Sequence, residues 1–232
     1  MARFTLFVGT LFCGLFFTCT DQYNLSKPNF ILIYCDDLGY GDIGAYGNKV
    51  HRTPHLDRMA EEGVVLADFY VTSGVCTPSR SSLMTGSYPI RIDMNVNARK
   101  RGEVGRQVLF PRAYKGLNPN EITIAEILKD QGYATACIGK WHLGDQSEFL
   151  PTRQGFEYYF GIPYSNDMNR DFCPLPLMRG EQVIEAPVDQ ATLTRRYTEE
   201  ALAFIDLHQD DPFLIYLPHT MTHTTNFLNF TK

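Results

Sequence analysis

The chain lacks the stretch of about 20 apolar residues that a helix needs to cross a bilayer. Its first apolar run, Phe4 to Phe17 behind Arg3, falls short of that length. It also lacks an excess of positive charge: 21 Lys and Arg face 26 Asp and Glu, for a formal net charge of -5. That balance excludes the basic footprint of a nucleic-acid-binding domain. No internal repeat and no low-complexity tract is present, so solenoids and disordered linkers are excluded. Cysteine is sparse, six in 232 residues, and the spacings match neither a zinc motif nor a small disulfide scaffold.

What is present is ordinary globular composition, 44% hydrophobic and 20% charged over 232 residues. That is enough chain for one good-sized core or two small ones. Residues 1–20 read as a secretory signal, with Arg3 preceding the apolar run. The alternative is a lipoprotein signal with Cys19 as the lipid-bearing residue. Export makes oxidised cysteines accessible and would give the sequons Asn24-Leu25-Ser26 and Asn229-Phe230-Thr231 meaning in a eukaryotic host. The compartment, periplasmic, extracellular or lysosomal, depends on the host. Residues 21–232 form the globular part. Cys35 and Cys137 end apolar runs and are read as core, and Cys173 is left to pair with a cysteine that the sequence does not identify. The basic run Arg99-Lys100-Arg101 reads as a solvated loop, with contact to an anionic polymer as the alternative.

Helical and strand patterns alternate. Asn29–Cys35 is a continuous apolar run and predicts a strand buried on both faces. Thr53-Pro54 caps a short helix that Gly63 stops. Val64–Tyr70 reads as a strand, Pro78–Thr85 as a helix closed by Gly86, and Ile122–Asp130 as a helix before Gly132. Tyr133–Ile138 reads as a strand, Leu193–His208 as an amphipathic helix, and Phe213–Leu217 as an apolar strand. Together they predict an α/β fold with a mostly parallel central sheet flanked by helices. In such sheets ligands gather beyond the carboxyl ends of the strands.

Beyond the first strand stand Asp36 and Asp37. Adjacent buried carboxylates repel, and a hard divalent cation such as Ca²⁺ or Mg²⁺ would resolve that; an exposed acidic turn is the alternative. Gly39-x-Gly41-x-x-Gly44 matches a dinucleotide fingerprint in letters only. The two aspartates would repel a pyrophosphate, and Tyr46-Gly47-Asn48 reads as a turn rather than a helix.

The most informative stretch runs from Cys76 to Gly86, CTPSRSSLMTG. Pro78 marks a helix start, which puts Cys76 just before a helix amino terminus, where backbone N–H groups favour an anion. A thiol there is expected to be acidic and reactive. Arg80, one turn on, adds a cation with bidentate reach to oxyanions. The alternative is a cap at which Cys76 merely packs.

Cys-x-Pro-x-Arg followed by Leu-x-Thr-Gly resembles the sulfatase signature. Gly139-Lys140-Trp141-His142-Leu143-Gly144 resembles a second block of that family, Asp36-Asp37 its first metal ligands, and Thr53–Asp57 the segment between them. The match runs from about Asn29 to Leu217. The resemblance implies an alkaline-phosphatase-like sulfatase fold and hydrolysis of sulfate esters on small molecules or glycans. It implies that a maturation enzyme oxidises Cys76 to formylglycine and that Asp36, Asp37 and the Cys76 position bind Ca²⁺. Arg80 would hold the formylglycine hydrate, Lys140 would contact sulfate, and His142 would act as a base. A later histidine would face the leaving group; the spacing favours His223, with His219 as runner-up.

The sequence departs from the family in its tail. A second metal-ligand pair, Asp-Asn, and a second sulfate-binding lysine are not found, and His223 is followed by Thr224-Thr225 where a proline is usual. The expectation is an amino-terminal part of the catalytic domain, with exposed sheet edges and apolar patches. Two rival readings stand: a phosphate or phosphonate ester hydrolase of the same superfamily, and a non-catalytic truncated isoform.

Overall fold

The structure, a computed structural model, describes residues 27–96, 105 and 107–223. The signal reading, both sequons, Cys13, Cys19 and Arg99–Arg101 lie outside the described residues. In chain order come β1 (Phe30–Tyr34), α1 (Pro54–Glu62), α2 (Cys76–Thr85), α3 (Ile124–Asp130), β2 (Ala134–Lys140), β3 (Tyr158–Ile162), β4 (Leu177–Arg179), β5 (Gln182–Glu185), α4 (Leu193–Leu207) and β6 (Phe213–Pro218). The strands make one sheet in the order β1-β6-β2-β3-β4-β5. The first four in that order are parallel, with Phe30 opposite Leu214, Ala134 opposite Phe213 and Ala136 opposite Tyr158. The hairpin β4-β5 adds an antiparallel edge beside β3. The sequence pattern did not mark β3, β4 or β5.

Side chains alternate across the sheet, and each face carries its own core. Ala136, Ile138, Phe160, Ile162, Ile215 and Leu217 pack toward Tyr197 and Phe204 of α4. Cys137, Tyr159, Leu214 and Tyr216 face the other way, toward Met84 of α2, Ala125 of α3, Trp141 and Phe156. β2 and β6 lie inside the sheet and are buried along nearly their whole length.

α3 begins at Thr123 in a capping box. The Glu126 N–H donates to Thr123 Oγ1 at 3.2 Å, and the Thr123 N–H donates to Glu126 Oε2 at 2.7 Å. Two N–H groups at the start of the helix thereby gain acceptors. At α1, Thr53 stands at the cap but its side chain does not cap. Its hydroxyl accepts from the Gly44 N–H and donates to Asp57 instead.

Three expectations are corrected. β1 is the sheet's edge strand and not doubly buried: Phe30, Ile31 and Ile33 are 41–50% exposed. Val64–Tyr70 has strand-forming residues but forms no strand, because no described segment pairs with it; Val64 and Tyr70 are 87% and 80% exposed. Among the cysteines, Cys35 is only half-buried, and all four described cysteines are free. Cys173 packs against Tyr164 and is not in a disulfide. No helix among the described residues is long and apolar enough to cross a membrane.

Candidate active site

α2 starts earlier than its proline suggests. Val75 is the extended residue before it, Cys76 is its first residue, and Pro78 falls in the first turn. A proline is tolerated there because the first N–H groups of a helix have no intrahelical partner. Cys76 is therefore inside the helix terminus rather than before it. At the other end Gly86 takes φ 66° and returns its N–H to Ser82 O at 2.8 Å, a left-handed turn that suits glycine.

Thr77 fixes α2 against the segment that follows β2. Its hydroxyl donates to His142 O at 3.0 Å and accepts from the Leu109 N–H at 3.1 Å. Arg80 is wholly buried. It donates to Lys140 O at 2.7 Å, lies 3.4 Å from Asp36 Oδ1, and stacks over the Tyr34 ring at 5.1 Å. Its Nε and Nη2 are buried with no hydrogen-bond acceptor.

The end of β2 delivers Lys140, also wholly buried. Its ammonium contacts the Asp36 carboxylate, Cys76 Sγ at 3.3 Å and Ser165 Oγ at 2.9 Å. Asp36 comes from the end of β1, and Cys76 Sγ lies 3.4 Å from its Oδ1. Burial alone would push the Asp36 pKa up, but Lys140 and Arg80 outweigh it and hold the carboxyl below its ordinary range. For Cys76 the balance falls the other way. Burial raises the thiol pKa, and the pull of Lys140 and Arg80 does not overcome it. The expected acidic thiol is thus corrected: desolvation disfavours the thiolate more than the nearby cations and helix terminus favour it.

His142 is buried, with φ 60°. Its Nε2 lies 2.9 Å from Leu109 O. A carbonyl only accepts, so Nε2 carries the hydrogen and Nδ1 carries the lone pair. Nδ1 is buried and unpartnered. Burial, with Lys140 and Arg80 nearby, drives the His142 pKa well below its ordinary value, so the ring is neutral.

His223, beyond β6, brings a ring nitrogen within 4.8 Å of ligand atoms of Asp36 and Cys76. His219, the runner-up, packs beside the Tyr197 ring, 6.2 Å between centroids. Asp37 is exposed, takes φ 63°, and is not in the cluster of Asp36, Cys76 and His223. Ca²⁺ takes six to eight oxygens. The cluster offers one carboxylate, a sulfur and a nitrogen, with Lys140 and Arg80 already on that carboxylate. The described residues therefore do not make up a Ca²⁺ site.

Ser165, Tyr34 and Tyr216 were missed by the sequence reading. Ser165 follows β3, and the rule that sites gather after parallel strands would have found it had β3 been recognised. Tyr34 and Tyr216 looked like strand core, and only the fold places them against Arg80.

Four parallel strands thus end around one cysteine at a helix terminus, with a buried Arg, a buried Lys and two histidines. Comparison with known proteins narrows the class. The Sulfatase family profile matches residues 28–230, and the chain belongs to that family. It is 36% identical over 248 aligned residues to Arylsulfatase G of Mus musculus, covering 91% of this chain and 45% of that protein. It is 38% identical over 223 residues to Arylsulfatase A of Homo sapiens, covering 86% of this chain and 42% of that protein. Among solved structures, the PsFucS1 sulfatase from Pseudoalteromonas sp. superposes with a TM-score of 0.71 at 27% identity, over 87% of this chain and 45% of that one. The chain spans under half the length of these relatives, and its fold is the corresponding part of the sulfatase fold.

Proposed function

We propose that the protein to which these residues belong hydrolyses sulfate esters, with Cys76 as the precursor of its nucleophile. One observation carries the reading: Cys76 stands at the terminus of α2 against Lys140, with the unaccepted donors of Arg80 buried one turn away. Nη2 meets only the Asp36 carboxylate, at 3.4 Å, and Nε meets no acceptor among the described residues; a sulfuryl or hydrate oxygen has the chemistry to satisfy such donors.

Formylglycine fits the Cys76 position, where Lys140, Asp36 and His223 already surround the side-chain atom. As its hydrate it supplies one hydroxyl for attack on sulfur and a second through which sulfate is later released. Lys140 and the helix terminus bind negative sulfuryl oxygens, where developing charge is stabilised without reorganisation. Arg80, locked by Lys140 O and Tyr34, holds the nucleophile's orientation. His223 donates a proton to the departing alcohol. His142, neutral and tautomerically fixed with its lone pair on Nδ1, accepts the proton that accompanies sulfate release. Asp36 keeps Lys140 in place. Asp36 and Asp37 would offer oxygens to the Ca²⁺ that the family resemblance implies, but they fall short of its full ligand set. The Arg3–Phe17 run supports export, and a formylglycine-generating enzyme of that compartment would be the maturation partner.

The test is a panel of aryl sulfates, sulfated sugars and matching phosphate esters. It is given to the protein co-produced with a maturation enzyme. Hydrolysis confined to sulfates, and abolished in Cys76→Ala, is the expected result. Preference for phosphates would favour the phosphohydrolase reading. Multiple turnovers by Cys76→Ser, which lacks the second hydroxyl, would overturn the mechanism.

A further inference from the structure

Away from the catalytic corner, Ile92, Asp93, Tyr114, Lys115, Asn118 and Phe149 border an open cleft of about 490 Å³. That volume suits a small molecule. The residues come from the segment after α2, the stretch before α3 and the loop after β2, and none of them takes part in the chemistry proposed above. We infer that this cleft binds an uncharged sugar ring, carried by the same glycan whose sulfate ester is cleaved. The link to the glycan rests on the sulfate-ester reading; the binding of a sugar ring does not.

Charge argues against an ion here. Lys115 Nζ lies 2.9 Å from Asp93 Oδ2 and donates to Val96 O at 3.0 Å. The pair cancels, so the lining favours neither an anion nor a cation. What is left is a mixed set of hydrogen-bonding groups. The second Asp93 oxygen accepts, and the Tyr114 hydroxyl both donates and accepts. The Asn118 amide nitrogen donates, its oxygen already being held by the Asn120 N–H at 3.0 Å. Sugar hydroxyls also donate and accept at once, so a pair of neighbouring hydroxyls matches such a set. Ile92 is buried and Tyr114 half-exposed. With Phe149 they offer the apolar and ring surface that the C–H face of a pyranose covers.

The cleft is braced from behind. Gly116 lets the Phe149 ring come close to the backbone, where a Cβ would stand 2.3 Å from it. The Leu117 N–H donates to Leu143 O at 2.8 Å, and the Trp141 ring N–H donates to Phe149 O at 2.8 Å. Two sides of the cleft are thereby tied to the segment that follows Lys140, and the cleft keeps a fixed place relative to the catalytic corner. A second contact on the same glycan raises overall affinity without strengthening the first.

Saturation-transfer NMR on the purified protein, with Cys76 oxidised or not, tests the binding. The probes are the methyl glycosides of galactose, glucose and N-acetylglucosamine. The expected result is transfer to at least one of them, with affinity lowered about tenfold in Tyr114→Ala. Tyr114 and Asn118 are exposed, so their variants should melt with the parent protein. No transfer to any of the three glycosides, or transfer undiminished in the double variant Tyr114→Ala/Asn118→Ala, would overturn the inference. With the matured protein, Tyr114→Ala should raise the KM for sulfated oligosaccharides while leaving kcat, and the KM for an aryl sulfate, unchanged. An unchanged KM for the oligosaccharides would overturn the link to the glycan. Absence of sulfate hydrolysis by the parent protein would instead overturn the sulfate-ester reading and leave the sugar-binding result standing.

Discussion

Lys140 Nζ lies 3.3 Å from Cys76 Sγ, although 64 positions separate them in sequence. The contact exists because β2 runs through the middle of the sheet and ends beside the terminus of α2. Asp36 joins them from β1, its carboxylate shared between Lys140 and Arg80. Removing one partner of a buried ion pair leaves an uncompensated charge and costs about 3–5 kcal/mol. Lys140→Met should therefore lower the urea midpoint sharply. Adding Asp36→Asn should restore part of the loss. A double variant whose cost equals the sum of the two singles would show that the pair is not coupled.

His142 sets a pH dependence. Its pKa in the folded chain lies below the ordinary 6.5, chiefly through burial. As pH falls, the unfolded chain takes up that proton first. The stability due to neutral His142 is thus complete above about 6.5 and is lost progressively below it. Asp36, also lowered, contributes in a separate window: its share is complete above about 3.8 and fades in stronger acid. Denaturation between roughly pH 7 and 5 should show declining stability, and His142→Gln should flatten that slope. Equal slopes in the two proteins would contradict the buried, neutral assignment.

Thr123 serves two structures at once. It caps α3 and donates to Gln154 O at 2.9 Å. Thr123→Ala should cost about 1–2 kcal/mol, the upper part of the range for a lost cap. Trp141 reports it, being the single tryptophan, fully buried, with its ring N–H on Phe149 O. A midpoint unchanged in Thr123→Ala would refute the role.

Gly139 and Gly161 face each other across β2 and β3. A Cβ on Gly161 would stand 1.8 Å from Gly139 O, backbone that has no room to shift. Gly161→Ala should therefore destabilise the sheet's centre by more than the ~1 kcal/mol typical of a point mutation. Gly86→Ala meets nothing within 4 Å and suffers only its φ of 66°, so it should cost less. The reverse order, read by thermal melting, would contradict the packing.

Much of this was legible before any coordinates. The helix ends at Gly63 and Gly86, the strand run of Phe213–Leu217, and the grouping of Cys76, Arg80, Lys140 and His142 all follow from local pattern or family signature. What escaped depends on neighbours. Phe30–Tyr34 reads as core, yet its exposure is decided by where it falls in the sheet. Val64–Tyr70 has strand residues, but a strand forms only beside a partner. Helix position alone would make the Cys76 thiol acidic, but burial raises its pKa, and sequence shows only the first. Ser165 carries no motif at all; its meaning comes from the end of β3.

Among the four described cysteines, Cys76 is the one we propose is converted to formylglycine. Peptide mass spectrometry on the chain, co-produced with a formylglycine-generating enzyme, tests it directly. The account predicts a thiol-to-aldehyde mass change on the peptide containing Cys76, with Cys35, Cys137 and Cys173 left as thiols. An intact thiol at Cys76 under those conditions would contradict it.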